Sequence, residues 1–421
     1  MKVRATLLLR HAREMVTCAG ELPTSAARAD FDAGPLGLVA DGAVAVNAGC
    51  IVAAGPTASV ESAIALADDA VVIDVGDALL CPGLVDAHTH ALFAGERAHE
   101  FSMRMQGATY AEVAAAGGGI ASSVRSLRAS SDAELAATLE QRVAAMARYG
   151  TTTVEVKTGY ALDTAHETRC LEILGRAGDH VIPTWLGLHA VPPELRGSAT
   201  GRREYLAEVA GPMLAAVLAG GRARFVDAYV DGPGFSVEEC APVLERARSG
   251  GLRARLHVGQ FEDVGGAELA ARLGAASVDH LEHVSDEGLR ALAHAGVTAV
   301  LLPAAAFCLG QPMPDARRMR ALGVSVALAT DCNPGTSHCD AIPWMASFGV
   351  RQMGLSTVEA WFAVTVTAAR CLGFTDRGRI EAGARADLAV LDLASWESLP
   401  YVLGSPRARC VVRNGEVLFG G

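Results

Sequence analysis

The stretch Pro82-Gly83-Leu84-Val85-Asp86-Ala87-His88-Thr89-His90 decides the fold of this 421-residue chain. Its first part is a short apolar run after Pro82 and Gly83, the pattern of a buried strand. Two histidines at i and i+2 on a strand point to the same face. Imidazole is a ligand for zinc, iron or nickel, so His88 and His90 predict a metal site where this strand ends.

Seven further apolar runs follow this strand, separated by helical stretches. The helical pattern is clearest over 132–149, after a Ser131–Glu134 capping box and before Gly150. Eight strand–helix units predict an α/β fold, a (β/α)8 TIM-type barrel over residues 81–384. The predicted barrel strands are 83–88, 151–156, 181–188, 224–230, 254–258, 276–281, 297–302 and 324–329.

Both ends of the chain have a different pattern from the middle. Residues 1–80 contain short strands, among them 38–46 and 50–54, each bounded by Asp, Asn or Gly. Residues 385–421 contain another at 408–412, followed by the hairpin signal Asn414-Gly415. Two strand-rich ends around a different centre predict a small β-sandwich built from residues 1–80 and 385–421.

Composition excludes several classes of function. The formal net charge of -11 disfavours nucleic acid as a partner, because an acidic surface repels phosphate. Hydrophobic residues make up 51% and charged residues 20%, which permits a large buried core. No apolar run is long enough to predict a membrane span. The ten cysteines show no paired spacing, so reduced thiols and a cytoplasmic location are expected.

Further candidate ligands follow other predicted strands. His257 lies at the end of the fifth strand and Asp331 just after the eighth, so both should meet His88 and His90 at the C-terminal end of the barrel. Three imidazoles and one carboxylate suit one divalent ion, zinc or iron, with room for a water molecule. Asp331 could also carry a proton from that water to a leaving nitrogen. His280, which ends the sixth strand, is placed to stabilise a developing oxyanion.

Longer stretches of the chain carry a family resemblance. Residues 82–90 and 380–388 resemble the opening and the return of the amidohydrolase superfamily barrel. Residues 101–119, 257–261 and 278–283 resemble, within it, the imidazolonepropionase family. The same resemblance is carried by Glu155-Val156-Lys157-Thr158-Gly159-Tyr160, His189-Ala190-Val191-Pro192-Pro193-Glu194 and Ala329-Thr330-Asp331-Cys332-Asn333-Pro334-Gly335-Thr336.

The resemblance implies an activity and a set of site residues. Members of that family open 4-imidazolone-5-propanoate to N-formimidoyl-L-glutamate in histidine degradation. The resemblance therefore implies a metal-dependent cyclic amidohydrolase with a small-molecule substrate, and such barrels often form homodimers. It implies one zinc or iron ion on His88, His90, His257 and Asp331. Substrate contacts are implied for Arg97, Tyr160, His189, Gln260, Asn333, Gly335 and Thr336.

The guanidinium group of Arg97 suits the propanoate, because its planar fork can bind a carboxylate through two hydrogen bonds. The chain departs from the family at Thr158, at Ala161 and in residues 337–340, which include His338 and Cys339. This departure keeps another cyclic amidohydrolase or a ring deaminase as the alternative reaction. A non-catalytic barrel used as a binding module is a more distant alternative, which the presence of all four candidate ligands disfavours.

Overall fold

The computed structural model describes residues 2–22, 33–108, 112, 117–404 and 406–420. Thr109, Tyr110 and Ala116, which belong to the family-like stretch 101–119, lie outside the described residues. The strands are β1 Val3–Val16, β2 Leu38–Asn47, β3 Cys50–Pro56, β4 Ile64–Asp74, β5 Leu79–Pro82, β6 Leu84–Asp86, β7 Thr151–Lys157, β8 Val181–Leu188, β9 Phe225–Val230, β10 Arg253–Val258, β11 Ser277–His280, β12 Thr298–Leu301, β13 Val326–Leu328, β14 Leu388–Leu391, β15 Ala408–Arg413 and β16 Glu416–Phe419.

Helices connect most of these strands. They are α1 Thr57–Ala63, α2 Ala98–Met105, α3 Ile120–Ala129, α4 Asp132–Ala147, α5 Thr164–Arg176, α6 Gly201–Glu208, α7 Leu214–Gly220, α8 Val237–Ser249, α9 Gly266–Leu273, α10 Asp286–Ala295, α11 Pro303–Leu309, α12 Ala316–Ala321, α13 Ile342–Gln352, α14 Thr357–Ala363, α15 Val366–Cys371 and α16 Ser398–Tyr401. A π-helical turn, Val209–Met213, joins α6 to α7, and 3₁₀ turns span Gly34–Leu36 and Pro193–Leu195. In the part of the chain that the structure describes, no helix is long and apolar enough to cross a membrane.

Strands β6 to β13 form the predicted (β/α)8 barrel. Each pairs in parallel with the next in chain order, and helices separate them. The predicted helix over 132–149 is α4, and the Ser131–Glu134 capping box is present. The fold prediction is therefore confirmed, with every predicted barrel strand in its expected place.

The ring closes just beyond the ends of β6 and β13. Strand β6 ends at Asp86, so His88 and His90 lie on an extended segment after it rather than within the strand. There the amide of Asp331 donates to the carbonyl of His88 at 3.0 Å, and the amide of His90 donates to the carbonyl of Cys332 at 2.9 Å. The first and last units of the barrel thus bring both histidines beside Asp331.

The two ends of the chain build a second sheet, in the order β16-β15-β14-β5-β1-β2-β3, with β4 also paired to β1. The hairpin between β15 and β16 turns at Asn414 and Gly415, both with positive φ (50° and 79°), as an Asn-Gly hairpin requires. Between the two sheets lies Gly83, whose amide donates to the carbonyl of Asp387 at 2.8 Å. The division into residues 1–80 with 385–421 and residues 81–384 stays a prediction.

Candidate active site

Four histidines and an aspartate meet at the C-terminal end of the barrel. His88, His90, His257, His280 and Asp331 are all at most 4% exposed. Asp331 Oδ1 lies 3.5 Å from Nε2 of His88 and 3.5 Å from Nε2 of His90. Nε2 of His257 lies 3.4 Å from Nε2 of His90. The structure therefore brings together the residues that the sequence predicts as metal ligands.

The spacing of these atoms fits a tetrahedral ion. Bonds of about 2.1 Å at tetrahedral angles place ligand atoms about 3.4 Å apart. The ligand nitrogens of His88, His90 and His257 form a group that could hold a metal ion. Nε2 of His88 is buried and makes no hydrogen bond among the described residues. A buried polar atom needs a partner, and a divalent cation would be a partner for both this nitrogen and the carboxylate beside it.

Two carboxylates orient the histidines from below. Nδ1 of His88 lies 2.7 Å from Oδ2 of Asp279, and Nδ1 of His257 lies 3.2 Å from Oδ1 of Asp227. A carboxylate accepts, so Nδ1 of each ring carries the proton and Nε2 keeps its lone pair. Burial opposes the charge on both aspartates. The cations Arg255 and Lys157 nevertheless hold their pKa values below the usual range.

A buried lysine completes this layer. Lys157 lies on β7 and is fully buried, with its Nζ 2.9 Å from Glu155 Oε1, 2.8 Å from Asp227 Oδ2 and 3.6 Å from Asp279 Oδ2. Burial alone would lower the pKa of Lys157, but Asp227 and Glu155 raise it above the usual value. The ammonium group is therefore charged at neutral pH.

The two residues predicted to act in catalysis have unusual backbone angles. Asp331 has a φ of 51° and His280 a φ of 84°, in the region that L-residues seldom adopt. The carbonyl of Asp331 accepts from Nδ2 of Asn333 at 2.7 Å, and its amide donates to His88, so the strained turn is held on both sides. His280 lies across the histidine group, with its ring centroid 5.5 Å from that of His257.

A cavity of about 440 Å³ opens above the histidines. Its lining contains every residue that the sequence predicts as a substrate contact: Arg97, Tyr160, His189, Gln260, Asn333, Gly335 and Thr336. A larger cavity of about 880 Å³ lies between α4, α5 and the β15–β16 hairpin, remote from these residues. We place the candidate site in the smaller cavity, because the convergent polar groups are there.

Arg97 is held at the wall of the cavity by a carboxylate. Its Nε lies 2.7 Å from Oε2 of Glu100, which also accepts from the amide of Gly119 at 3.0 Å. Its guanidinium group packs directly over Gly335, where an added Cβ would collide with it. The absence of a side chain at position 335 therefore makes room for Arg97, an explanation that the sequence alone does not give.

Tyr160 and His189 pack side by side next to His90. Nδ1 of His189 donates to the carbonyl of Gly159 at 2.7 Å, so its Nε2 is left as an acceptor. Burial, followed by the nearby His257, lowers the pKa of His189 to about 4, so the ring is neutral at pH 7. Gly159 has a φ of +99°, and a Cβ there would press on this ring.

Gln260 and Asn333, two of the remaining predicted substrate contacts, already make hydrogen bonds within the protein. Oε1 of Gln260 accepts from the hydroxyl of Tyr229 at 3.1 Å. The amide group of Asn333 is engaged in its own loop, since Oδ1 accepts from the amides of Gly335 and Thr336, both at 2.8 Å. A substrate contact by Asn333 would require one of these bonds to be exchanged.

Sequence reasoning missed several residues around this site. Asp227, Asp279, Lys157 and Glu155 received no role, although a Glu-x-Lys pair inside an apolar strand is a signal that charges point into the barrel. Tyr229, which lines the cavity, was also missed.

Three residues in the family-like and departing stretches lie outside the cavity wall. They are His283 in stretch 278–283, and His338 and Cys339 in the family departure. The ring of His338 packs instead near that of Phe93, with centroids 6.0 Å apart.

Comparison with known proteins supplies family and fold. A family model described as "Amidohydrolase family" matches residues 79–418. The imidazolonepropionase of Rubrobacter xylanophilus is 43% identical over 397 residues, 93% of this chain and 94% of that protein. That of Geobacillus kaustophilus is 39% identical over 419 residues, 98% of this chain and 97% of that protein.

Solved structures with the same fold are more distant in sequence. A zinc-bound adenosine deaminase from Xanthomonas campestris has a TM-score of 0.71 and 21% identity, over 100% of this chain and 94% of that one. A zinc complex of atrazine chlorohydrolase from Arthrobacter aurescens has a TM-score of 0.69 and 17% identity, over 98% and 95%. At these identities the likeness shows the fold alone.

Proposed function

The chain belongs to the imidazolonepropionase family of amidohydrolases, and from this membership we propose that it hydrolyses the ring amide C–N bond of 4-imidazolone-5-propanoate. The product is N-formimidoyl-L-glutamate, in histidine degradation. One observation supports this most strongly: a cavity that contains a predicted carboxylate clamp, Arg97, opens directly over His90, His257 and Asp331.

The proposed metal ligands are His88, His90, His257 and Asp331, and the ion is zinc or iron. When bound, a divalent ion polarises a carbonyl group and makes water a stronger nucleophile at neutral pH. The protein contributes the orientation of the ligands. Asp279 and Asp227 fix the rings of His88 and His257, so that their Nε2 atoms face the same point.

Arg97 binds the propanoate in this proposal. Its Nε is used by Glu100, which leaves the two terminal nitrogens of the guanidinium group for a second carboxylate. The neutral His189 and the hydroxyl of Tyr160 hydrogen-bond polar atoms of the ring, and Gln260, Asn333, Gly335 and Thr336 complete the wall. The carboxylate would thus be anchored at one side of the cavity and the ring amide placed over the histidines.

Asp331 and His280 move and stabilise charge in the proposed reaction. Water adds to the ring carbonyl carbon, and Asp331 takes the proton that the water loses. The same carboxyl group returns this proton to the ring nitrogen as the C–N bond breaks, so the ring opens to a carboxylate and an amidine. His280 hydrogen-bonds the carbonyl oxygen as negative charge develops on it. Gln260 can orient the substrate but cannot carry a proton.

The proposal is tested by a panel of substrates. Purified protein is mixed with freshly prepared 4-imidazolone-5-propanoate, an imidazolone without the propanoate, and adenosine, and the products are identified by mass spectrometry. We expect the first compound to gain one water and to be turned over far faster than the others. Faster turnover of the uncharged imidazolone would point to another cyclic amidohydrolase, and loss of ammonia from adenosine to a ring deaminase.

The partners and the location are part of the same proposal. A net charge of -11 supports a small-molecule substrate rather than nucleic acid. All ten cysteines are free in the structure, which supports a reducing, cytoplasmic location. We also propose a homodimer, because barrels of this superfamily often pair. Light scattering should then give about twice the mass of the 43.5 kDa chain.

A further inference from the structure

The ammonium group of Lys157 lies at the centre of the charged layer beneath the histidines. It contacts three carboxylates, and each carboxylate belongs to a different part of the barrel: Glu155 on β7, Asp227 on β9 and Asp279 on β11. None of these four side chains is more than 1% exposed. Burying a cation among anions costs desolvation free energy, so these four charges are expected to have a role other than filling the core.

The three carboxylates hold the two segments that carry the predicted histidine ligands, 88–90 and His257. Asp279 bonds Nδ1 of His88, and Asp227 bonds Nδ1 of His257. Glu155 reaches the segment between His88 and His90, because its Oε2 accepts from the amide of Thr89 at 3.2 Å. One ammonium group is therefore one carboxylate removed from two predicted ligands, His88 and His257, and is linked through Glu155 to Thr89, the residue between His88 and His90.

The backbone of β7 reinforces this link. The amide of Lys157 donates to the carbonyl of Thr89 at 2.9 Å, and the hydroxyl of Thr89 donates to the carbonyl of Glu155 at 2.7 Å. Thr89 is thus tied to both residues of the Glu-x-Lys pair.

The other buried cation of the layer, Arg255, lies 3.4 Å from Asp279 and also donates to the carbonyl of Ala87 at 2.7 Å. Among the ion pairs of the described residues, Glu155 and Asp227 pair with Lys157 and not with Arg255.

We propose that Lys157 is a positioning residue, which sets the affinity of the metal centre by holding Glu155, Asp227 and Asp279 against the ligand segments. The inference rests on the proposed metal ligands. Without the ammonium group, three carboxylates would share one remaining cation in a dry interior. Repulsion would move these carboxylates apart, and the imidazole rings would lose their fixed orientation.

Metal affinity tests this directly. The Zn²⁺ dissociation constant is measured by competition with a chromophoric chelator for wild-type protein, Lys157→Met and a control, Arg320→Met. Arg320 is also a buried cation in an ion pair, 3.1 Å from Glu359, but it lies on α12 and is not among the residues that line the cavity. Loss of an outer partner of a ligand commonly weakens metal binding about 10- to 100-fold. We expect a loss of this size in Lys157→Met and none in Arg320→Met, although both lower the melting temperature.

A second pair of variants separates positioning from general damage. If Lys157 acts through Asp227, the two substitutions should not add. The Zn²⁺ dissociation constant of the double variant Lys157→Met/Asp227→Asn should then be within about threefold of that of the single variant that binds less tightly. Fully additive losses would contradict the proposed chain of contacts. Should Lys157→Met fail to fold, Lys157→Arg decides, because it retains the charge and should stay within about tenfold of wild type.

The outcomes distinguish this inference from the proposed function. A wild-type protein that neither binds Zn²⁺ nor turns over the imidazolone would refute the proposed function. A wild-type protein that binds Zn²⁺, with the same dissociation constant in Lys157→Met, would refute only the positioning role. A loss as large in Arg320→Met as in Lys157→Met would also refute it.

Discussion

Replacing Arg97 by lysine tests how the cavity recognises its substrate. Arg97 uses Nε for Glu100 at 2.7 Å and has its terminal nitrogens left for the substrate. A lysine has one ammonium group, which cannot hold Glu100 and a propanoate in the same geometry. One charge-assisted hydrogen bond is lost, and such bonds contribute about 1.5–3 kcal/mol. That corresponds to a fall in kcat/KM of roughly 10- to 150-fold.

The loss should appear in KM rather than in kcat, because Arg97 contacts the part of the substrate that does not react. Steady-state rates are followed by the loss of ultraviolet absorbance, with 4-imidazolone-5-propanoate and with the imidazolone that lacks the propanoate. Wild type and Arg97→Lys should differ only on the first substrate. Arg202→Lys is the control, because Arg202 pairs with Glu239 at 2.6 Å outside the cavity. Equal losses on both substrates, or a loss in kcat alone, would refute the assigned role.

Three further changes test other parts of the account. Asp331→Asn should lower kcat by about 10³-fold or more, because an amide cannot carry the proton, whereas near-normal turnover with metal bound would exclude that role. Gly335→Ala should raise KM about tenfold with little change in kcat, because the new Cβ would displace the Arg97 guanidinium group, and an unchanged KM would contradict the packing seen here. Burial, then Arg413, lowers the pKa of His180 to about 4. The unfolded chain therefore binds a proton there between about pH 6.5 and 4 that the folded protein does not, and stability should fall by about 2 kcal/mol between pH 7 and pH 5. In urea titrations at pH 7 and 5, His180→Gln should lose less stability than wild type, and an identical loss would show that His180 is not responsible.

The barrel and the meeting of the four candidate metal ligands at one end of it could be predicted because parallel strands leave a simple signal. Eight apolar runs separated by helices predict the fold, and in such a barrel residues that follow different strands meet at one end. His257 and Asp331, far from His88 in sequence, could be placed beside it for that reason.

The charged layer beneath the candidate metal ligands could not be predicted in the same way. Each charge in β7, β9 and β11 looks like an isolated exception in an apolar strand. Which charges pair depends on the register of strands that are not sequence neighbours. The contact of Lys157 with Asp227 joins β7 to β9, for example, and skips β8. The Arg97–Glu100 pair is local in sequence, but only the structure shows that Gly335 makes room for it.

The most direct test of the central claim is a metal titration of metal-free protein with turnover as the readout. Zn²⁺ or Fe²⁺ is added in steps, and hydrolysis of 4-imidazolone-5-propanoate is measured after each addition, with His257→Ala in parallel. We predict that activity rises linearly and levels off at about one ion per chain, and that the variant stays inactive at that point. Full activity in the metal-free protein, or a variant as active as wild type, would contradict the account.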